Sequence, residues 1–362
     1  MARTFALQRP DATDTASMTP MPAPFLATIT AIALSGIAPL LIIYATPEQS
    51  NGMSFLGPLA IAAGAGLRFS LIVGARRRRL FEMVVWLFVY VFLGVAPVIQ
   101  MRLGLDTNTT PNVNHALDGT SAGIVIAGCL AFAIGVATRG AKPVVAAGGR
   151  ARVVSRPRAN ILTLACLALF AYYATRVGFT NLFTTRTNLD AIRALVWPDR
   201  TTGALVTGAT SMGLLVSSVA QIYVRRQQKN AGAPMPVLLP LISVVTLFIC
   251  VNPINSPRYV FGTVMLALIA AVGAYATVKR FRIVSLAALF GMVYLFPVAD
   301  MFRRSLDPTA KSQDPLESML SGDFDSFSQI TNTAEYVAAN DITWGKQLLG
   351  VVFFWVQERL AR

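Results

Sequence analysis

Charge is scarce in this chain. Only 13% of its 362 residues are Asp, Glu, Lys or Arg, where a soluble domain carries about 25%. That excludes an ordinary water-soluble globular protein of this length. Histidine occurs once, at His115, and cysteine three times, at Cys129, Cys166 and Cys250. All three cysteines fall inside apolar runs and read as small apolar residues, which leaves no disulfide framework or cysteine metal site. A lone loop histidine reads first as a solvated residue, with a general base as the alternative. The chain has no P-loop, no glycine-rich dinucleotide turn and no HExxH, and no motif supports Ser-His-Asp chemistry. ATP-driven work therefore has no support. No internal repeat is present.

What the chain has in quantity is apolar sequence, 54% of all residues, with a mean hydropathy of +0.58. Runs of about 20 apolar residues mark helices that can span a bilayer with every backbone group paired internally. Nine such runs occur, at roughly 25–45, 53–74, 81–99, 120–138, 160–175, 204–223, 236–252, 259–278 and 283–299. The run 348–356 is too short to span alone. The expected fold is an all-α polytopic membrane protein, with about nine transmembrane helices and a long outer loop carrying an amphipathic helix. Residues 1–24, rich in Pro, Thr and Ala, read as a disordered cytoplasmic tail. Residues 25–299 form the helix bundle, and 300–362 an outer segment.

The net charge of +14 would point to nucleic acid in a soluble protein. Here the basic residues sit between spans, so they report topology, and no nucleic-acid partner is expected. Arg76–Arg79, the group from Arg139 to Arg158, Arg225, Arg226 and Lys229, and Lys279, Arg280 and Arg282 follow the second, fourth, sixth and eighth runs. The alternate loops hold most of the 17 carboxylates. The positive-inside rule then places the N-terminus in the cytoplasm and the loops after odd-numbered runs outside. Arg68, near the inner end of the second run, reads as a snorkelling residue.

Two outer segments are unusually polar. The first, "TRVGFTNLFTTRTNLDAIRALVWPDRTTG" (175–203), carries Arg176, Arg186, Arg193 and Arg200 against the positive-inside trend. It reads either as a solvated loop or as an anion site, because the guanidinium fork fits phosphate two-pronged. A short amphipathic helix is expected from Thr187 to Ala194, bringing Arg186 and Arg193 to related faces. The second, "SGDFDSFSQITNTAEYVAANDITWG" (321–345), spaces Phe324, Phe327, Ile330, Ala334 and Val337 by threes and fours. This predicts an amphipathic helix over 323–338, capped by Asp323 or Asp325. Its other face carries Asp325, Gln329, Asn332 and Tyr336, a set suited to sugar hydroxyls; a merely solvated face is the alternative reading. "DFD" also matches the Asp-x-Asp pattern of metal-dependent glycosyltransferases. Three residues outside the cytoplasm are too little to assign a metal, and no metal or cofactor is expected. Two smaller features complete the set. "NPINSPR" (252–258) holds Arg258 at a membrane edge, as an anchor or a ligand. "ADMFRR" (299–304) places Asp300 beside Arg303 and Arg304.

Taken in order, "YVFLGVAPVIQ" (90–100), "GFTNLFTTR" (178–186), "NPINSPRYVFG" (252–262), "FPVADMFRR" (296–304) and "GDFDSFSQITNTAEYV…ITWGKQLLGVVFFWV" (322–356) resemble O-antigen polymerases, the oligosaccharide repeat-unit polymerases. The resemblance covers most of the chain from about residue 55 onward. It implies a multi-pass enzyme of the bacterial inner membrane that works on the outer face without nucleotide sugars. Such an enzyme moves a growing glycan from one undecaprenyl pyrophosphate onto the repeat unit carried by another. Its partners would be undecaprenyl-pyrophosphate-linked glycans, membrane lipid and a chain-length regulator. In that reading Asp300, Asp323 and Asp325 are the candidate catalytic carboxylates. Arg176, Arg186, Arg193, Arg258, Arg303 and Arg304 would bind the pyrophosphate. Gln329, Asn332 and Tyr336 would bind sugar, in an outer cavity shared with the arginines.

Relatives in that family continue after "FFWV" with Pro-Arg and Trp-Pro and further spans, whereas this chain ends "QERLAR". The expectation is a truncated or frameshifted product that binds lipid-linked glycan weakly and does not polymerise it. Competing classes are an O-antigen ligase, which would want a histidine base in a large outer loop, and a lipid-linked oligosaccharide flippase or transporter. The latter would place ionisable groups deep in its spans, and the nine runs are almost free of them.

Overall fold

The computed structural model describes residues 23–46, 52–107, 109–138, 154–295, 317–340 and 342. The described residues are helical, with one isolated Thr107–Thr110 bridge and no sheet. In chain order the helices are α1 (Pro24–Ala45), α2 (Leu56–Gly74), α3 (Leu80–Leu103), α4 (Asp118–Thr138), α5 (Arg156–Val177), α6 (Arg186–Val196), α7 (Arg200–Asn230), α8 (Leu238–Cys250), α9 (Arg258–Ala271), α10 (Val278–Phe290) and α11 (Ser326–Asn340). Six of these, α1–α5 and α7, are long and apolar enough to cross a membrane by length and composition. That is the make-up of a multi-pass membrane protein.

The runs expected at 236–252 and 259–278 appear as the shorter helices α8 and α9. Thirteen and fourteen residues rise about 20 Å, short of a hydrocarbon core about 30 Å thick. The run expected at 283–299 is α10, which continues as a π-helical turn over Gly291–Leu295, the last residues described before 317. Breakers explain the shortness of α8 and α9. Pro253 and Pro257 occupy the α8–α9 turn, and Gly273 at φ +76° turns the chain after α9. Residues 1–22 of the tail expected over 1–24, the segment 296–316 with Asp300, Arg303 and Arg304, and residues 343–362 lie outside the described residues.

The chain divides into two compact units, one made of residues up to Ile126 and from Met319 onward, the other of Ala127–Ser318. In the first unit α3 is central. Its most apolar window is 67% buried, against 6% for α1. Gly94 of α3 lies against Ala62 of α2 so closely that a Cβ there would sit 2.8 Å from the Ala62 Cα. Small residues at such a crossing let two backbones approach, which is how helices pack in lipid. The ladder widens to π-helical turns at Ile32–Ile37 and Val89–Val95. Pro39 and Pro97 follow each turn two residues later. A proline lacks the amide hydrogen and presses on the carbonyl four residues back, so the preceding turn opens to accommodate it. α3 stops at Gly104, left-handed at φ +62°, where Leu105 and Gly104 donate back to the Gln100 and Met101 carbonyls, a Schellman ending.

In the second unit, α5, α7, α8 and α9 pack around Cys166, Leu214, Leu247, Cys250 and Val264. The Gln221 amide of α7 donates to Asn160 (3.1 Å) and Thr163 (2.9 Å) of α5, an interhelical polar link of the kind apolar bundles use as glue. Outward-facing apolar side chains are abundant. Leu40 is 65% exposed and Ile161 68%, as lipid-facing helices require.

Candidate functional site

The approach to α11 is assembled from three parts of the first unit. A 3-10 turn, Gly322–Phe324, leads into the helix. Phe324 is fully buried and stacks on Phe92 of α3, with ring centroids 5.3 Å apart. The Gln100 amide of α3 donates to the carbonyls of Met319 (2.8 Å) and Phe324 (3.0 Å). Gly322 faces Thr109 so closely that any side chain at 322 would collide with it. Phe327 and Thr331 are buried on the inner face of α11, and the Thr331 hydroxyl donates to Ser121 of α4 (3.0 Å). The spacing of the aromatic stripe thus does place α11 against the helices, as expected for Phe324 and Phe327.

The helix starts a little later than the sequence pattern implies, at Ser326 rather than 323, and runs to Asn340. The Asp325 carbonyl accepts from the Gln329 amide hydrogen, so Asp325 stands at the head of the helix. Its carboxylate does not cap free amides, however. Oδ2 accepts from the Thr109 hydroxyl (2.8 Å) and the Gln329 side chain (3.1 Å). Loop 104–117 is therefore the second wall of the polar face. Asn114 of that loop donates to Glu335 (3.0 Å). Gln329 and Tyr336 are exposed and Asn332 half-buried. Asp323 is exposed within the 3-10 turn.

The loop is itself held by its histidine. His115 Nδ1 lies 3.0 Å from Asp118 Oδ2, and Nε2 lies 3.1 Å from Asp106 Oδ1. Asp106 also accepts from the Val113 amide (3.2 Å). Both ring nitrogens are engaged, so His115 braces the loop while 38% of its side chain stays exposed. Two carboxylates on one imidazole leave no nitrogen open to a substrate proton. Among the described residues, no three His, Cys, Asp or Glu side chains gather as a metal site.

The polar face of α11 with loop 104–117 holds Asp325, Gln329, Asn332, Glu335, Tyr336, Thr109 and Asn114 and no Lys or Arg. Carboxylates and amides without a Lys or Arg among the described residues of the face suit neutral hydroxylated ligands, which accept and donate at once. They do not suit a phosphate. The nearest basic residue in sequence, Arg102, is only 8% exposed. Its guanidinium donates to the carbonyls of Ile43 (3.0 Å) and Thr46 (2.7 Å) and to the Thr46 hydroxyl (2.9 Å), and lies over the Phe55 ring. It closes the end of α1 and is not available to a ligand.

The arginine-rich segment belongs to the second unit. The expected short amphipathic helix is α6, Arg186–Val196, with Leu189 fully buried among Tyr173, Leu182 and Trp197. Asp190 lies between the two arginines, 3.5 Å from Arg186 and 2.9 Å from Arg193. Arg193 is further committed, because Nε and Nη2 both donate to the Tyr173 hydroxyl (2.9 and 2.7 Å). Arg186 keeps 48% of its side chain exposed, and Arg176 is exposed over the Tyr172 ring. Arg258 opens α9, and the turn before it is pinned by two asparagines that the sequence pattern did not single out. The side-chain amides of Asn252 and Asn255 both donate to the Leu182 carbonyl (3.1 and 2.6 Å). The carboxylate and amide group thus lies in one unit, and Arg176, Arg186, Arg193 and Arg258 in the other.

No family model, curated protein or solved structure matches the chain.

Proposed function

We propose that the chain is a polysaccharide polymerase of the O-antigen type, a multi-pass protein of a bacterial inner membrane with a cytoplasmic N-terminus. It would join undecaprenyl-pyrophosphate-linked repeat units at the outer face. The observation that carries this reading is the face of carboxylates and amides on α11 and loop 104–117, segments that hold no Lys or Arg. The ordered resemblance of five segments to that family and the alternation of basic and acidic loops support it further.

In this reading the face on α11 holds the acceptor sugar. The Asp325 carboxylate takes the proton of the attacking hydroxyl. The bond from the donor's anomeric carbon to the phosphate oxygen breaks as the new glycosidic bond forms, and undecaprenyl pyrophosphate leaves. A positioned carboxylate of this kind contributes about 10²-fold or more. Thr109 and Gln329 fix the orientation of that carboxylate through one oxygen and leave the other open. For the departing pyrophosphate, the resemblance points to Arg186 and Arg258, where developing negative charge needs fixed donors.

The test is transfer between lipid-linked repeat units by the purified chain in nanodiscs, which also tests the expected loss of polymerisation. Joined repeat units and free undecaprenyl pyrophosphate are expected in equal amounts. Asp325→Asn should lower the rate about 100-fold with the melting temperature unchanged. Transfer at the same rate by Asp325→Asn, or hydrolysis without joining, would remove the proposal.

A further inference from the structure

The C-terminal part of α7, the start of α8 and the end of α9 enclose a cleft of about 500 Å³ within the second unit. Its walls are apolar, with Leu241 and Val244 from α8 and Leu268 and Val272 from α9, and its rim is basic, with Arg225 and Lys229 of α7. These two cations are one helical turn apart and so share a face. Both are exposed.

Among the described residues no carboxylate pairs with them. Residues 201–299 contain no Asp or Glu. Arg226, between them, is differently used. Its Nη1 donates to the Ala271 carbonyl at the end of α9 (2.8 Å). It also covers Gly273, where a Cβ would come within 2.9 Å of Nη2. Arg226 is thus part of the wall, and the other two cations remain for a ligand. Their place in the last turns of α7 suits the helix dipole. The dipole does not account for the open apolar walls below them, where Leu241 is 55% and Val272 58% exposed.

We infer that this cleft binds one anionic glycerophospholipid, with its phosphate on Arg225 and Lys229 and its two chains along α8 and α9. Charge complementarity selects the headgroup, because a basic rim without any carboxylate favours a phosphate that bears net charge. Two apolar walls on two helices select a two-chain lipid over a single isoprenoid tail. Basic pockets between transmembrane helices, on the side where basic loops gather, are where anionic headgroups bind. The site is independent of the polymerase reading, since no residue of the α11 face takes part.

The experiment is native mass spectrometry of the full chain released from vesicles of phosphatidylglycerol and phosphatidylcholine in equal parts. One retained phosphatidylglycerol is expected, in preference to phosphatidylcholine. Arg225→Ala together with Lys229→Ala should lower that retention about tenfold. Lys279→Ala with Arg280→Ala removes the same charge elsewhere in the unit and should leave it unchanged. Leu241→Trp fills the cleft with every charge intact and should also displace the lipid. This second variant keeps the test decisive if the double alanine variant does not fold. Equal retention of both lipids, indifference to Leu241→Trp, or enrichment only of an added polyprenyl phosphate would overturn the inference.

Discussion

Arg102→Leu is expected to lower the unfolding free energy by about 3 kcal/mol and to free the end of α1. Arg102 belongs to α3, yet its donors are spent on the last carbonyls of α1, those of Ile43 and Thr46. Thr46 is fully buried. Helix ends carry unpaired carbonyls and a partial negative charge, so a guanidinium there answers both needs. Hydrogen bonds to a charged donor each contribute about 1.5–3 kcal/mol. Removing the donor strands buried carbonyls where no water replaces it, a cost of about 1–3 kcal/mol per group. Arg102→Lys should recover a part only, because one ammonium cannot reproduce the fork. Denaturant titration in detergent measures the loss, and proteolysis near residue 46 should quicken in step. A leucine variant as stable as the parent would show that α1 is held by apolar contact alone.

Gly94→Leu is expected to be as damaging, by a different mechanism. The Cβ it introduces would lie 2.8 Å from both Cα and Cβ of Ala62 and 2.9 Å from its nitrogen. Backbone atoms of a packed helix cannot move aside singly, so α2 and α3 must separate along their crossing. Overpacking of a close-packed contact costs about 1–3 kcal/mol and more when backbone is displaced. A value of about 3 kcal/mol or failure to accumulate in the membrane is expected. Ala62→Gly in the same chain should restore only part of the loss, since the Ala62 Cα and nitrogen remain in the way. Full rescue by Ala62→Gly would place the strain in the side chain alone.

How far the sequence could be read depends on whether a signal lies within one element. The six long helices follow from runs of apolar residues, and α6 and α11 from spacings of three and four. Leu189, Phe324 and Phe327 face inward as the period requires. The shortness of α8 and α9 was hidden because hydropathy windows run across Pro257 and Gly273 without registering the breaks. Partners of α11 were equally hidden. Thr109 and Asp325 are 216 residues apart, and Asn114 and Glu335 are 221 apart. No spacing rule reaches that far.

The same limit explains the histidine and the arginines. His115 stands three residues before Asp118, a separation that puts two side chains on one face of a helical turn, and this is the signal that could have marked it as a brace. Arg193 looked like a ligand because it stands with Arg176, Arg186 and Arg200 in one outer segment. Tyr173, the residue that occupies its fork, lies on α5. Glu335, beside Asn332 on α11, was legible as one more polar residue of that face, and only the fold connects it to Asn114.

The central claim, that the α11 face is open to the outer side and holds the sugar of a lipid-linked glycan, is tested most directly at Gln329. The variant Gln329→Cys, with Cys129, Cys166 and Cys250 replaced by alanine, is treated in intact inner-membrane vesicles of defined orientation with an impermeant thiol reagent. The account predicts fast labelling from the outer face, slowed severalfold by undecaprenyl-pyrophosphate-linked repeat units and unaffected by undecaprenyl phosphate without sugar. Labelling from the cytoplasmic face only, or a rate indifferent to the lipid-linked glycan, would contradict it.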